Sequence, residues 1–273
     1  MSEWMRWREP VRAIARAAGD AIMQVYAGEF AIEHKADDSP VTEADLAAHR
    51  TIVAGLAALT PDIPVLTEEG GLPDWAVRRQ WSRYWLVDPL DGTREFVKRN
   101  GEFSVNIALI DQHEPVLGVV YAPALAVEYA GVRGVGSWRF HPDGRVEALV
   151  VRTPPSIPTL ALSRSHGSKK EQALIEALGS VEIIRCGSAL KTCLVAAGEA
   201  DLYPRFGPTS EWDTAASQCV LESAGGCLQD LTGQRLGYNH KESILNPCFV
   251  AFGAALPLPR AVMADLSAAS CAG

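Results

Sequence analysis

The segment Tyr84-Trp85-Leu86-Val87-Asp88-Pro89-Leu90-Asp91-Gly92-Thr93 constrains this chain more than any other. Its apolar run reads as a buried strand, and a buried strand that ends in two carboxylates needs something to compensate them. Asp88 and Asp91 stand where strand gives way to turn, with the Leu90 carbonyl between them. Such oxygen ligands suit a hard divalent cation. Gly92 lets the backbone approach a ligand closely and Thr93 adds a hydroxyl, while a helix starting there would point free N–H groups at a phosphate. Taken alone, Asp-Pro-Leu-Asp-Gly is equally a surface turn. Two further acids follow apolar stretches: Glu68-Glu69 after Ile63 to Leu66, and Asp213 after Trp212 at an expected helix start. Three such places suggest one pocket. Four unpaired carboxylates gathered in it would raise one another's pKa, so a metal is needed to neutralise them.

Around this segment the chain alternates. Val11, Ile14, Ala15, Ala18, Ile22 and Val25 recur at helical steps, predicting a helix over Val11 to Tyr26, and Thr42 caps a second that runs to about Leu59. Apolar runs at Ile63 to Leu66, Tyr84 to Val87, Ser104 to Ile110, Pro115 to Tyr121 and Ala126 to Tyr129 read as strands. The stretch VRTPPSIP at 151–158 marks a boundary. Beyond it are expected strands at Thr159 to Ser163, Val181 to Arg185 and Asp201 to Tyr203, and others near Cys227 and Phe249. Helices are expected over Lys169 to Leu178, Ala189 to Ala197, about Glu211 to Ala224, and from Pro259. The expectation is an α+β half over 1–152 that binds metal and an α/β half over 153–273 that recognises substrate.

Composition narrows the function. At 273 residues, 48% hydrophobic and 21% charged, the chain is an ordinary globular one that needs no covalent staple. A net charge of -8 argues against wrapping nucleic acid, although local cations can still hold a small anion. The charges in Met1 to Arg16 break any signal peptide, and no apolar run is long enough to span a membrane, which leaves only peripheral contact. All six cysteines lie in the second half without a C-x-x-C pair, so zinc and redox motifs are absent; reduced buried thiols in a cytoplasmic protein are expected.

Together, Glu68-Glu69, Asp88-Pro89-Leu90-Asp91-Gly92-Thr93 and Trp212-Asp213-Thr214-Ala215-Ala216 resemble the three signatures of the inositol monophosphatase superfamily of magnesium-dependent, lithium-sensitive phosphatases. The runs Glu95 to Phe103, Ser163-Arg164-Ser165-His166, Gly187-Ser188-Ala189-Leu190-Lys191 and Leu202 to Pro208 resemble its bacterial 3'(2'),5'-bisphosphate nucleotidase branch, the CysQ type. Those enzymes remove the 3'-phosphate of adenosine 3',5'-bisphosphate, a by-product of sulfate assimilation, and leave AMP. Ala189 departs from the serine that many relatives carry.

The resemblance implies a layered αβαβα sandwich of the sugar-phosphatase type, α+β and α/β in its halves. It implies two or three magnesium ions held by Glu68, Asp88, Asp91, Asp213 and the Leu90 carbonyl. Asp45 and Thr93 would orient and deprotonate a water that Glu68 also touches, with no covalent enzyme intermediate. Glu68, Leu90, Asp91, Gly92, Thr93 and Asp213 would meet the scissile phosphate, and His166, Gly187, Ser188, Lys191 and Arg205 the rest of the nucleotide. On residue type alone, Asp45 is a solvated acid at a helix start, Lys191 an exposed helical lysine and His166 a structural histidine. Lys35 reads either as a loop charge or as part of a loop that closes over the site. An inositol 1-monophosphatase is the enzymatic alternative, and a nucleotide-sensing module without catalysis the other; the complete set of acids and Thr93 speaks against the second. The expected form is a monomer or homodimer.

Overall fold

The structure, a computed structural model, describes residues 2–30, 32–34, 40–164, 167–255, 258 and 260–268. The first half comprises α1 (Met5–Tyr26), β1 (Ile32–His34), β2 (Pro40–Thr42), α2 (Glu43–Leu59), β3 (Val65–Thr67), α3 (Trp75–Arg78), β4 (Arg83–Asp91), α4 (Thr93–Val97), β5 (Ser104–Asp111), β6 (Glu114–Ala122), β7 (Val127–Val132), β8 (Gly136–Phe140) and β9 (Val146–Ala148). There follow β10 (Thr159–Ser163), α5 (Lys169–Leu178), β11 (Glu182–Cys186), α6 (Leu190–Ala196), β12 (Leu202–Arg205), α7 (Glu211–Ser223), β13 (Cys227–Asp230), β14 (Phe249–Phe252) and α8 (Arg260–Ala268).

Side-chain alternation along the central strands sets the layers. On β4, Trp85 and Val87 join a core with α1 and α2, whereas Tyr84 and Leu86 join a second core on the opposite face. On β5, Val105, Ile107 and Leu109 take the first side, Ala108 and Ile110 the second. Both faces are dry, which is why these strands read as unbroken apolar runs. The larger sheet runs β3-β4-β5-β6-β7-β8-β9, antiparallel except for β3 beside β4. The smaller runs β11-β10-β12-β14-β13, with β10 parallel to both its neighbours. Helices α6 and α7 lie between the sheets, and α5 and α8 cover the outer face of the smaller one through Leu174, Met263 and Leu266. This is the layered αβαβα sandwich. The larger sheet is complete by Ala148 and the smaller begins at Thr159, yet the middle core draws on both.

Sandwiching α7 requires close approach. Gly118 and Gly131 lie against its backbone: a Cβ on Gly131 would sit 2.6 Å from the Cys219 carbonyl oxygen and from Val220 Cα. Glycine is the residue that leaves room for the helix whose first turn carries Asp213.

Several elements differ from expectation. The hairpin β8–β9 is half-exposed at the sheet edge, so its residues lack the apolar alternation that marks a strand. Helix α1 begins at Met5 and carries Pro10 inside it. The lost backbone bond is offset by packing, with Trp7 edge-on to Trp85 at 6.3 Å and the buried Arg12 guanidinium paired with Glu128. Cys186, Cys193, Cys219 and Cys227 are free thiols, but Cys248 is disulfide-bonded, which corrects the expectation of six reduced thiols. Apolar neighbours in sequence foretell burial, whereas pairing depends on which cysteines the fold brings together. Among the described residues no helix is long and apolar enough to cross a membrane.

Gly131→Ala is expected to destabilise the protein by about 1–3 kcal/mol, because its methyl meets helix backbone rather than a side chain that can move. Urea unfolding measures this, and an unchanged midpoint would mean that α7 does not lie this close to the sheet.

Candidate active site

A regular strand cannot aim Asp88 and Asp91 at the same place, because residues three apart point to opposite faces. The register supplies the answer. Asp88 pairs with Asn106 and Asp91 with Ser104, so β4 spends one residue more than β5 across this interval. That bulge, at Pro89-Leu90, turns both carboxylates into one cavity. The Leu90 N–H donates to Asp88 Oδ1 at 3.0 Å, holding the turn. Gly92 follows at φ +93°, a left-handed conformation that favours glycine, and starts the short α4.

The other acids arrive from separate elements. Glu68 opens a one-turn 3₁₀ helix directly after β3, whose Thr67 is in register with Val87 of β4. Parallel pairing therefore brings Glu68 and the Asp88–Asp91 bulge to the same strand ends. Asp213 is held in the first turn of α7 by the Ser210 N–H, which donates to its Oδ2 at 3.0 Å. Glu68, Asp88, Leu90, Asp91, Gly92, Thr93 and Asp213 line one cavity of about 580 Å³, a size typical of small-molecule sites.

Electrostatics confirms their proximity. Burial pushes the Asp88 carboxyl well above the usual range, and the charges of Glu68, Asp91 and Asp213 push it further. Asp213 is raised in the same way, by burial and then by Asp91 and Glu68. Burial raises Asp91 to about 6, against the pull of Lys191, the Ala189 N–H and Asn106. Among the described residues, no group of three or more His, Cys, Asp or Glu side chains is arranged to hold a metal ion as placed. Shared lining and mutual pKa effects put these acids around one space, and repulsion is the physical reason for like charges to stand apart in it. Carboxylate and carbonyl oxygens, without thiol or imidazole, fit a hard divalent cation.

Thr93 and Asp45 are joined: the Thr93 hydroxyl donates to Asp45 Oδ1 at 3.2 Å and also reaches the Leu90 carbonyl at 3.4 Å. Asp45 is buried rather than solvated, and its Oδ2 accepts from the N–H and hydroxyl of Thr42, each at 2.8 Å. It is therefore at once the third-position partner of the Thr42 cap of α2 and the partner of Thr93, and it lies outside the cavity lining. Burial raises its carboxyl to about 6, despite the Thr42 hydrogen bonds.

The second-half residues also converge on the cavity. Gly187, Ser188, Lys191 and Arg205 all line it, but the turn amides are already engaged. The Gly187 N–H donates to Glu102 Oε2 at 3.0 Å, and the Ala189 N–H donates to Asp91 Oδ2 at 2.6 Å. Both amides are thereby satisfied within the protein. Ala189 takes part through its backbone, so the missing serine hydroxyl leaves that bond intact. Ser188 adopts φ +48°, a strained conformation for a residue other than glycine, and its carbonyl accepts from Lys191 Nζ at 2.7 Å. Lys191 is buried, not exposed, and acts on Asp91. Arg205 donates from Nη2 to the Pro208 carbonyl at 3.0 Å, while its buried Nε has no protein acceptor. His166 and Lys35 lie outside the described residues.

Three participants escape a reading of the sequence. Asn106 supports Asp91 from Nδ2 at 3.3 Å, and Glu102 ties the Gly187 turn to Arg164 through two bonds of 2.6 and 2.7 Å. Glu171, in the first turn of α5, also lines the cavity. Only register marks Asn106, and nothing local distinguishes the two glutamates from surface acids.

The raised acids make a signed prediction. Asp91 binds its proton more tightly folded than unfolded, where an ordinary aspartate titrates near 4. Stability must therefore fall as pH rises from about 4 through about 6, and without divalent metal it should increase on acidification from pH 7 to 5. His49 and His240, held below their ordinary values by burial, act in the opposite sense in that range. Comparison with Asp91→Asn cancels their effect. The expected result is a shallower dependence of Tm on pH in that variant, measured in chelator; identical slopes would refute the cluster's role.

Comparison with known proteins agrees with this geometry. The profile of the inositol monophosphatase family matches residues 4–259. The 3'(2'),5'-bisphosphate nucleotidase CysQ of Salmonella typhimurium is 54% identical over 243 residues, covering 88% of this chain and 97% of that protein. The Escherichia coli protein of the same name is 52% identical over the same length. Among solved structures, CysQ from Bacteroides thetaiotaomicron, described as a bacterial member of the inositol monophosphatase family, superposes with a TM-score of 0.82 at 38% identity, over 93% of this chain and 99% of its own. With the family profile spanning nearly the whole chain and relatives more than 50% identical over 88% of it, this chain belongs to the inositol monophosphatase family.

Proposed function

We infer that this chain is a 3'(2'),5'-bisphosphate nucleotidase that hydrolyses the 3'-phosphate of adenosine 3',5'-bisphosphate to AMP and inorganic phosphate. The observation that carries this reading is the meeting of Glu68, Asp88, Asp91 and Asp213, from three separate segments, on one cavity beside Thr93. The relatives named as such nucleotidases, 52–54% identical over most of the chain, supply the substrate. A role in sulfur metabolism follows from that substrate.

Enzymes of this family depend on metal, and magnesium suits this donor set. Two or three ions bound by Glu68, Asp88, Asp91, Asp213 and the Leu90 carbonyl would supply a water of lowered pKa and neutralise charge on the phosphoryl group and leaving oxygen. The chain's own residues provide the rest. Thr93 Oγ1 orients the attacking water, and Asp45, with a carboxyl near 6, accepts a proton relayed through that hydroxyl at neutral pH. Lys191 offsets negative charge at Asp91 and keeps the Gly187–Lys191 turn against the site. The unpaired Nε of Arg205 offers a donor to the nucleotide. Gly187 and Ser188 shape the wall on which the ribose rests.

Phosphate release should be magnesium-dependent and faster, by kcat/KM, on adenosine 3',5'-bisphosphate than on inositol 1-phosphate; the reverse order would overturn the substrate assignment. Asp91→Asn removes charge without volume and is expected to cut turnover by on the order of a hundredfold or more while leaving the circular dichroism spectrum unchanged. Near-normal activity in that variant would exclude the proposed metal site. Millimolar lithium should inhibit, and indifference to it would count against a family mechanism here.

A further inference from the structure

The cavity extends beyond the metal-binding acids, and its far wall carries a carboxylate that the chemistry above leaves unused. Glu171 is only 9% exposed and lines the cavity. Its N–H donates to Ser168 Oγ at 3.1 Å, but among the described residues no group donates a hydrogen bond to its side chain. The carboxylate therefore stands open to a donor on a molecule that fills the cavity.

Arg205 lines the cavity together with the metal-binding acids and Glu171, and its charge bears on Asp213 and Glu171 alike. Beside it, Phe206 and Pro208 line the same cavity and supply an apolar wall for a flat ring. A nucleotide whose 3'-phosphate sits at Asp88 and Asp91 would carry its base past Arg205 toward Glu171.

We propose that Glu171 selects the nucleobase, accepting a hydrogen bond from the exocyclic 6-amino group of a purine held against the Phe206–Pro208 wall. This deepens the nucleotidase reading and rests on it. A 6-amino purine presents a donor to the carboxylate. A 6-oxo purine presents an acceptor, so two lone-pair-bearing oxygens face each other and the base is rejected. A purely structural Glu171 would instead serve the N-terminus of α5, and its loss would lower Tm without changing the choice of base.

The test compares adenosine and inosine 3',5'-bisphosphates as substrates of the full chain, its Glu171→Gln variant and its Glu171→Ala variant. Calorimetric binding of AMP and IMP to each protein is measured alongside. The parent should prefer the 6-amino nucleotide by about ten- to a hundredfold in kcat/KM and in affinity. Both variants should bring the ratio close to unity, and Glu171→Gln, whose amide can also donate, should gain on the 6-oxo nucleotide in absolute terms. An undiscriminating parent, or variants that keep the parent's ratio whether or not Tm falls, would overturn the proposal. Failure of the parent to hydrolyse either nucleotide would instead remove the nucleotidase reading, and the AMP and IMP affinities would then decide the role of Glu171 by themselves. Should Glu171→Ala not fold, the near-isosteric Glu171→Gln carries the comparison.

Discussion

Mutual repulsion among carboxylates withdrawn from water is the constraint around which this molecule is built. Burial raises the carboxyls of Asp88, Asp91 and Asp213, and neighbouring acids, Glu68 among them in every case, raise them further. Such a site cannot contribute to stability by itself, so the scaffold must be strong enough to hold it. The scaffold here is a strand buried on both faces, a helix packed on glycines and two cores on opposite faces of the larger sheet.

Specific devices translate that strength into position. The bulge at Pro89-Leu90 brings two side chains of opposite strand parity to one cavity. Parallel pairing of β3 with β4 brings Glu68 alongside, and the cap of α7 presents Asp213 from the neighbouring layer. Pro204 in β12 belongs to the same pattern. It lies beyond Leu202, the one residue of β12 in register with β10, so its missing N–H costs no bond on that side and the strand end is free to open onto the cavity. Arg205 follows immediately.

The two halves of the chain divide the labour without forming separate cores. Donors from the second half act on an acid of the first: the Lys191 ammonium by its charge and the Ala189 N–H by a hydrogen bond, both on Asp91. Glu102 reaches in the other direction, taking the Gly187 N–H and holding Arg164. The cavity is thus tied across its mouth by contacts between residues about a hundred positions apart, which gives substrate binding a route to influence the acids.

Local patterning was enough to reveal much of this. Helix periodicity over Val11 to Tyr26, the Thr42 cap, the doubly buried strands and the three acids after apolar runs depend on neighbours within a few residues. A linear reading captures such relations. It misjudged Asp45 and Lys191, which by type and spacing belong on a wet helix face and are in fact buried, because burial depends on what the other layers cover. It could not name the partners of the Gly187 and Ala189 amides, because the acceptors Glu102 and Asp91 lie far away in the chain. It had no means of finding Asn106, Glu102 or Glu171. Residue order alone therefore established which chemistry the chain carries and roughly where its strands and helices run. Which acids face one another, which cations offset them and which carboxylate is left for a ligand were decided only by tertiary packing, because electrostatic and hydrogen-bond partners are chosen by distance in space.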